Sequence, residues 1–317
     1  MSAKMLLIVP RFFSYEIKIK NLLEKLGFNV FIIYENVNEF SIKCKIAKVL
    51  KKEEVYLDNY YIKKINRRQF DIVLAIRAST LSLEVIDLLR KNSPDAKFYL
   101  YQWDGVNNNS NAVRIAPLFD KVSTFDIDDS KSYGWRYRPL FYTDETQRNG
   151  NRFFDFTYIC TLHSDRLRIY KKLKQLSGQN FLYIYSKFSH YIKEKYIKKN
   201  PCFLGISDSE IKYKALKPKK MNSILSKTNI VVDYTHPGQS GFTMRTCEAI
   251  GHRCKLITNN KNVMEADFYN PNNIYVYDIN SFFIPNEFIR SPYIELSKNI
   301  YNYYSIESWL REIIDYE

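Results

Sequence analysis

Glycine and proline are scarce in this sequence, 9 and 10 of 317 residues. That excludes collagen-like, linker-like and low-complexity readings. The five cysteines, Cys44, Cys160, Cys202, Cys247 and Cys254, are odd in number and include no CxxC pair. They argue against a disulfide framework and against a zinc ribbon, and suit a reducing cytosol. Long hydrophobic runs are missing: Met5 to Pro10 and Val30 to Tyr34 are both under ten residues. A spanning helix needs about 20 apolar residues and a signal-peptide core about 7–15. A soluble, cytoplasmic protein is expected. Neither GxGxxG nor GxxxxGK followed by Ser or Thr occurs, which speaks against a glycine-fingerprint dinucleotide fold and a P-loop enzyme. His163, His190, His236 and His252 pair with no Cys or acidic residue at metal-ligand spacing, so neither a metal nor another cofactor is expected.

What is present is aromatic and basic. Hydrophobic residues make up 45%, charged residues 26% and aromatic residues 16%, with 26 Tyr and 21 Phe. The chain is globular, and disorder is excluded for most of its length. Its size suits two ordinary domains or one large one. The net charge is +14, with 24 basic against 18 acidic residues in the first 150 and 24 against 16 thereafter. A diffuse excess fits nucleic acid, anionic lipid or a phosphorylated small molecule, and equally a Lys-rich soluble surface. Lys43 to Arg68, with nine basic and three acidic residues, reads either as a helix pair on an anionic membrane surface or as a solvated one.

The periodicity alternates between strand and helix. Met5 to Val9 predicts a buried strand. Tyr15 to Leu26, apolar at Ile19, Leu22, Leu23 and Leu26, predicts a helix stopped by Gly27, and Phe28 to Tyr34 a second strand. Strands are expected again at Asp71 to Ile76, Lys97 to Gln102 and Lys121 to Phe125, with helical stretches between. The polar run Thr143 to Arg152 marks a boundary. A second series follows, with strands at Asp155 to Thr161, Asn180 to Tyr185, Asn229 to Tyr234, Lys255 to Thr258 and Asn273 to Tyr277. Helices are expected near Arg166 to Leu176, Tyr191 to Lys199, Lys219 to Ser226 and Thr243 to Ile250, the last capped by Gly251. The terminal helix Ile306 to Ile314 carries an apolar stripe of Trp309, Leu310, Ile313 and Ile314. The fold class expected is α/β, with two Rossmann-like domains facing a cleft: residues 1–146, residues 147–302, and a helix over 303–317 returning to the first domain. Parallel sheets bind ligands at the carboxyl ends of their strands.

The chemically richest stretch runs from Asp233 to Thr258. Its loop, His236-Pro237-Gly238-Gln239-Ser240-Gly241, brings two glycines and free N–H groups to a helix N-terminus, an anion-binding arrangement. Glu248, seven residues past Gly241, offers a carboxylate that can accept two hydrogen bonds from a ribose diol. A polar loop with a surface glutamate is the plain alternative.

Thr243 to Gly251, followed by Lys255 to Thr258, resembles the donor-binding segment of GT-B glycosyltransferases. Trp103-Asp104, Phe125-Asp126 with Asp129, Pro139 to Tyr142 and Gly241 to Ala249 look like motifs of bacterial lipopolysaccharide and capsule transferases within that superfamily. The resemblance implies a metal-independent enzyme that moves a sugar from a nucleotide-sugar to a glycan or glycolipid acceptor. Such an enzyme would be cytoplasmic or peripheral on the inner membrane face. On that reading Gln239, Ser240, Gly241, Thr243 and Glu248 contact the donor. His163, Arg166, Lys217, His236 and Arg245 are further donor-side candidates. Where many retaining members carry a second acid, this chain has Gln239 and Ser240. The His236-Pro237 dipeptide also occurs in CMP-sugar transferases, so the nucleotide stays open.

An inverting transfer needs a base for the acceptor hydroxyl. Asp104, after the strand Lys97 to Gln102, and Asp126, after Lys121 to Phe125, are the catalytic candidates, although Asp is also common there as a helix cap. Arg77, Trp103 and Asn107 are expected on the acceptor side. The competing function is a nucleic-acid-binding protein using the +14 charge. No RNP, KH, helix-turn-helix or zinc signature accompanies it.

Overall fold

The computed structural model describes residues 2–35, 53–148, 150, 152–163 and 165–316. The basic segment Lys43 to Arg68 falls partly outside these residues; its described part contains the helix Glu53–Ile65. The chain divides into two compact units, Met1–Leu140 with Ile306–Glu317, and Phe141–Ser305.

The first unit is built on a six-stranded sheet. Its strands are β1 (Lys4–Val9), β2 (Asn29–Tyr34), β3 (Ile72–Ile76), β4 (Lys97–Gln102), β5 (Lys121–Thr124) and β6 (Arg136–Tyr137). They pair in parallel in the order β2-β1-β3-β4-β5-β6. Met5 to Val9 are fully buried on both faces, as in a sheet covered by helices on each side. The helix α1 (Tyr15–Lys25) ends before Gly27, whose φ of 95° takes the chain into β2. The helix α12 (Ile306–Ile313) belongs to this unit. Its buried Trp309 meets Tyr101 of β4 edge-on, with ring centroids 4.8 Å apart. Arg138, fully buried, places Nε 2.6 Å from Glu312 Oε2, and Arg136 reaches the same carboxylate at 2.7 Å.

The second unit carries a second six-stranded parallel sheet. Its strands are β7 (Phe154–Thr161), β8 (Asn180–Tyr185), β9 (Ile211–Lys212), β10 (Thr228–Val232), β11 (Lys255–Thr258) and β12 (Ile274–Val276). The order is β12-β11-β10-β7-β8-β9. Both orders reverse direction once, at β1/β3 in the first unit and at β7/β10 in the second. At such a point the neighbouring connections diverge and open a crevice above the carboxyl ends.

The first unit passes to the second at Leu140 and Phe141, a few residues before the polar run 143–152, and returns at Ser305 and Ile306. Backbone pairing is the reason. The Tyr142 N–H donates to Tyr304 O at 2.8 Å, and the Thr146 N–H to Gly251 O at 3.1 Å. Gly251 does not cap its helix with a left-handed turn. It is the last residue of α9 (Met244–Gly251), with His252 at the C-cap. Glycine is needed for close approach: a Cβ here would lie 2.7 Å from Tyr142 Cβ and 2.6 Å from Asp144 O. The helix expected near Tyr191 to Lys199 is α7 (Phe188–Ile192) continued by a π turn, Lys193–Ile197. Gly251→Ala is expected to destabilise the second unit by about 1–3 kcal/mol through overpacking. Urea denaturation followed by circular dichroism measures this, and an unchanged midpoint would contradict the packing reason.

Candidate functional site

In the second unit the polar groups gather at the β7/β10 reversal. Arg166, the first residue of α6 (Arg166–Lys174), donates to Thr161 O at 3.1 Å and to Tyr234 O at 3.3 Å. It thereby spans the carboxyl ends of the two strands whose connections diverge. Its Nε is buried without a hydrogen-bond partner. Asp233, 5% exposed, follows β10. Its Oδ2 accepts from Thr243 Oγ1 at 2.9 Å and Thr235 Oγ1 at 3.3 Å. Thr243 is also the N-cap of α9, accepting from the Thr246 N–H at 3.1 Å. One carboxylate therefore ties the start of the loop to the start of the helix. Burial raises the Asp233 pKa, while Thr243, Arg166, Arg245 and Thr235 oppose the rise.

The loop between them is braced from below. Asn259, just past β11, exchanges two hydrogen bonds with the Thr235 backbone at 2.7 and 2.9 Å. Asn260 Nδ2 donates to Gly241 O at 3.0 Å, and Asn262 Nδ2 to Ser240 O at 2.9 Å. Sequence reasoning passed over these three residues. Their signal was a cluster of side-chain amides directly after a strand. Ser240 and Gly241 are buried, Gln239 is half-buried with Nε2 3.4 Å from Gly241 O, and His236 is exposed at the crest. His236 Nδ1 accepts from the Gly238 N–H at 3.2 Å. His163 faces it, with ring centroids 6.5 Å apart. His163 reaches solvent, yet partial desolvation of its ring, with Arg166, His236 and His190 adding positive charge, lowers its pKa to about 4.

Glu248, 9% exposed, pairs with Arg245 one turn earlier, Nη1 to Oε2 at 2.5 Å. Arg245 also reaches Ile159 O of β7 at 3.5 Å. The two residues named separately from the sequence are one ion pair. Lys217 is the N-cap of α8 (Pro218–Leu225), and its side chain is exposed. No described contact ties it to this group.

In the first unit the loops after β1, β3 and β4 leave the same edge, because Ile8 pairs with Ala75 and Ile76 with Tyr101. Arg77 and Ala78 hold φ of 69° and 53°, a strained pair of left-handed residues. The turn is held by Gln102 Nε2 and Asn109 Nδ2, which donate to Arg77 O at 2.9 and 2.6 Å. The Arg77 side chain places Nε 2.8 Å from Asp104 Oδ2 and Nη1 4.0 Å from Glu35 Oε1. Glu35, 1% exposed, accepts from the Ser79 N–H at 2.8 Å and from the Ser79 hydroxyl. Burial raises the pKa of both Asp104 and Glu35 against the pull of Arg77. Glu35 was not foreseen, since one acid after an apolar strand gives no sign of the arginine it meets. Asp126 accepts through Oδ1 from the Asp128 and Asp129 N–H groups at 3.1 and 3.2 Å and caps α5 (Ile127–Tyr133). Trp103 is half-buried, and Asn107 is exposed.

Among the described residues no three His, Cys, Asp or Glu side chains form a group that could hold a metal ion. No described helix is long and apolar enough to cross a membrane.

Two parallel α/β units in series, with the last helix returned to the first, define a GT-B glycosyltransferase-like fold. No family model matches the sequence, and no curated protein matches it. Solved structures do. The crystal structure of Anabaena Alr3699/HepE in complex with UDP-glucose is similar over 99% of this chain and 98% of its own, at a TM-score of 0.58 and 11% identity. The same protein in complex with UDP and glucose matches over the same shares, at 0.57 and 12%. UDP-GlcNAc 2-epimerase from Neisseria meningitidis bound to UDP-GlcNAc is similar over 99% of both chains, at 0.50 and 9%. At these identities the likeness shows the fold.

The His163 environment yields a pH prediction. With a folded pKa near 4 and an unfolded value near 6.5, the unfolded chain takes up the proton first as pH falls. The neutral form therefore contributes stability above about pH 6.5 that is lost progressively toward pH 4. His163→Gln is expected to flatten the pH dependence of the urea midpoint between about pH 7 and about pH 5. An unchanged slope would contradict the lowered pKa of His163.

Proposed function

We propose that this chain is a glycosyltransferase that moves a sugar from a nucleotide-sugar donor to a growing surface glycan, of the lipopolysaccharide, O-antigen or capsule kind. The observation that carries the reading is Arg166 bridging the ends of β7 and β10 beside a loop that opens a helix. This places a fixed cation and helix N-terminal N–H groups where an open parallel sheet receives its ligand. The diphosphate would meet Arg166, His163 and the His236 to Gly241 loop. Glu248, held by Arg245, would accept from the ribose hydroxyls. The leaving charge is met by these groups, so the reading asks for no metal and no bound cofactor.

On the acceptor side Asp104 is the proposed base. Its carboxyl is made more basic by burial, which suits proton abstraction near neutral pH. Asp126 is the weaker choice, because capping occupies its Oδ1. Arg77 would act through its pairing with Asp104, with Trp103 and Asn107 on the acceptor side. A lipid-carried acceptor fits the diffuse positive charge and work at the inner membrane face.

Thermal shift with UDP, GDP, CMP and TDP identifies the nucleotide by the stabilisation that binding confers. Because the fold is shared with an epimerase, product analysis should score both sugar transfer and sugar isomerisation. Glu248→Gln is expected to weaken the stabilising nucleotide about tenfold or more, with a lower Tm from the unpaired Arg245 and circular dichroism confirming that the variant folds. If transfer proceeds with inversion, Asp104→Asn lowers kcat by about 10²–10⁴ with unchanged donor affinity. No response to any nucleotide, or Glu248→Gln binding like the parent, would overturn the donor assignment.

A further inference from the structure

Between β1 and α1 the chain runs Arg11-Phe12-Phe13-Ser14 and keeps two aromatic rings in solvent, Phe12 45% and Phe13 39% exposed. The loop is held in that shape. Phe13 and Ser14 carry φ of 49° and 66°, which side-chain-bearing residues adopt only when their surroundings impose it. The Phe12 N–H donates to Oε2 of Glu16, a 6% exposed carboxylate, at 3.1 Å. The Phe12 ring meets Trp103, which arrives from the end of β4, with centroids 5.8 Å apart and planes inclined by 48°. Phe12 also meets Phe13 edge-on at 4.7 Å and lies nearly parallel to Tyr15 at 6.2 Å, and it still keeps 45% of its surface in solvent beside the tilted Trp103.

Phe12 and Trp103 stand at the edge where Arg77 and Asp104 also emerge, paired at 2.8 Å and each about a third exposed. An aromatic floor beside directional polar groups matches one ligand chemistry in particular. A pyranose ring has a face of C–H bonds, weakly positive, which suits the negative face of an aromatic ring. Its hydroxyls lie around the rim, where they accept hydrogen bonds from a guanidinium and donate them to a carboxylate. A lipid surface would instead require outward cations beside the rings. Among the described cations, Arg11 lies over the Tyr34 ring at 4.3 Å and Arg77 is paired with Asp104 at 2.8 Å.

We infer that Phe12 and Trp103 form a stacking platform for a sugar ring, with Arg77 and Asp104 as its polar rim. The inference deepens the proposed function, resting on the reading that the first unit holds the acceptor, and it adds Phe12 to that side.

The test uses the full chain and the methyl glycosides of glucose, galactose, mannose and N-acetylglucosamine as probes. In saturation-transfer NMR, at least one glycoside is expected to bind with Kd on the order of 1–10 mM, with the strongest saturation on the C–H protons of one ring face. Phe12→Ala should weaken that binding about fivefold, the size of one lost aromatic contact, while Phe12→Tyr keeps it within about twofold. Nucleotide affinity should be the same in all three proteins. Equal saturation of Phe12→Ala and the parent, or no saturation of any glycoside by the folded protein, would overturn the platform. So would loss of binding to phosphatidylglycerol vesicles in Phe12→Ala with no glycoside bound, which would reassign the rings to a membrane. Failure of the donor reading would register separately, as absence of nucleotide binding in the parent, and leaves the glycoside titration interpretable.

Discussion

Two neighbouring parallel strands whose chains continue away from each other leave backbone groups at their carboxyl ends that no strand can satisfy. Every buried carbonyl and N–H needs a partner. In the second unit the carbonyls of Thr161 and Tyr234 find theirs in Arg166. In the first unit the carbonyl of Arg77 finds it in the amides of Gln102 and Asn109. The chemically active side chains in both units are arranged around that requirement. The crevice exists because of the strand order, and the polar groups converge there because the backbone demands them.

Charge at these edges is set by burial as much as by partners. Asp233, Glu35 and Asp104 are each pushed toward the protonated form by loss of solvent, and each is drawn back by an arginine. His163 is pushed the other way, toward neutrality, by burial and by the cations around it. In the buried Arg245–Glu248 pair, removing either partner would strand a charge.

Rigidity is supplied from outside the functional residues. Asn259, Asn260 and Asn262 hold the loop after β10 through its backbone carbonyls and N–H groups, so its crest needs no secondary structure of its own. In the first unit the buried Glu35 holds Ser79, and Glu16 holds Phe12, each through a backbone N–H. These supports tolerate strained φ values at Phe13, Ser14, Arg77 and Ala78, where an unbraced chain would relax.

By itself the sequence determined the alternation of strands and helices. Apolar runs such as MLLIV and KFYLYQ have one stable environment, a sheet covered on both faces, and Gly27 and Gly134 fall where the chain must turn left-handed. The loop before α9 and its Glu248 were also legible, because a glycine-containing loop feeding a helix is a local pattern. Only the tertiary structure decided the rest. Strand order set where the two reversals lie, and so which of many polar residues after strands share an edge. The pairing of Arg77 with Asp104 and Glu35 depends on which chain segments lie side by side, whereas Arg245 and Glu248, three residues apart on one helix, meet through local spacing. The passage between units at Leu140 and Phe141 was hidden because contacts between distant segments decide it: a polar run looks like a linker until the Thr146 N–H is seen to bond to Gly251 and the preceding Tyr142 N–H to Tyr304. Sequence spacing carries periodicity, whereas contacts between distant segments arise only when hydrophobic burial brings the sheets together.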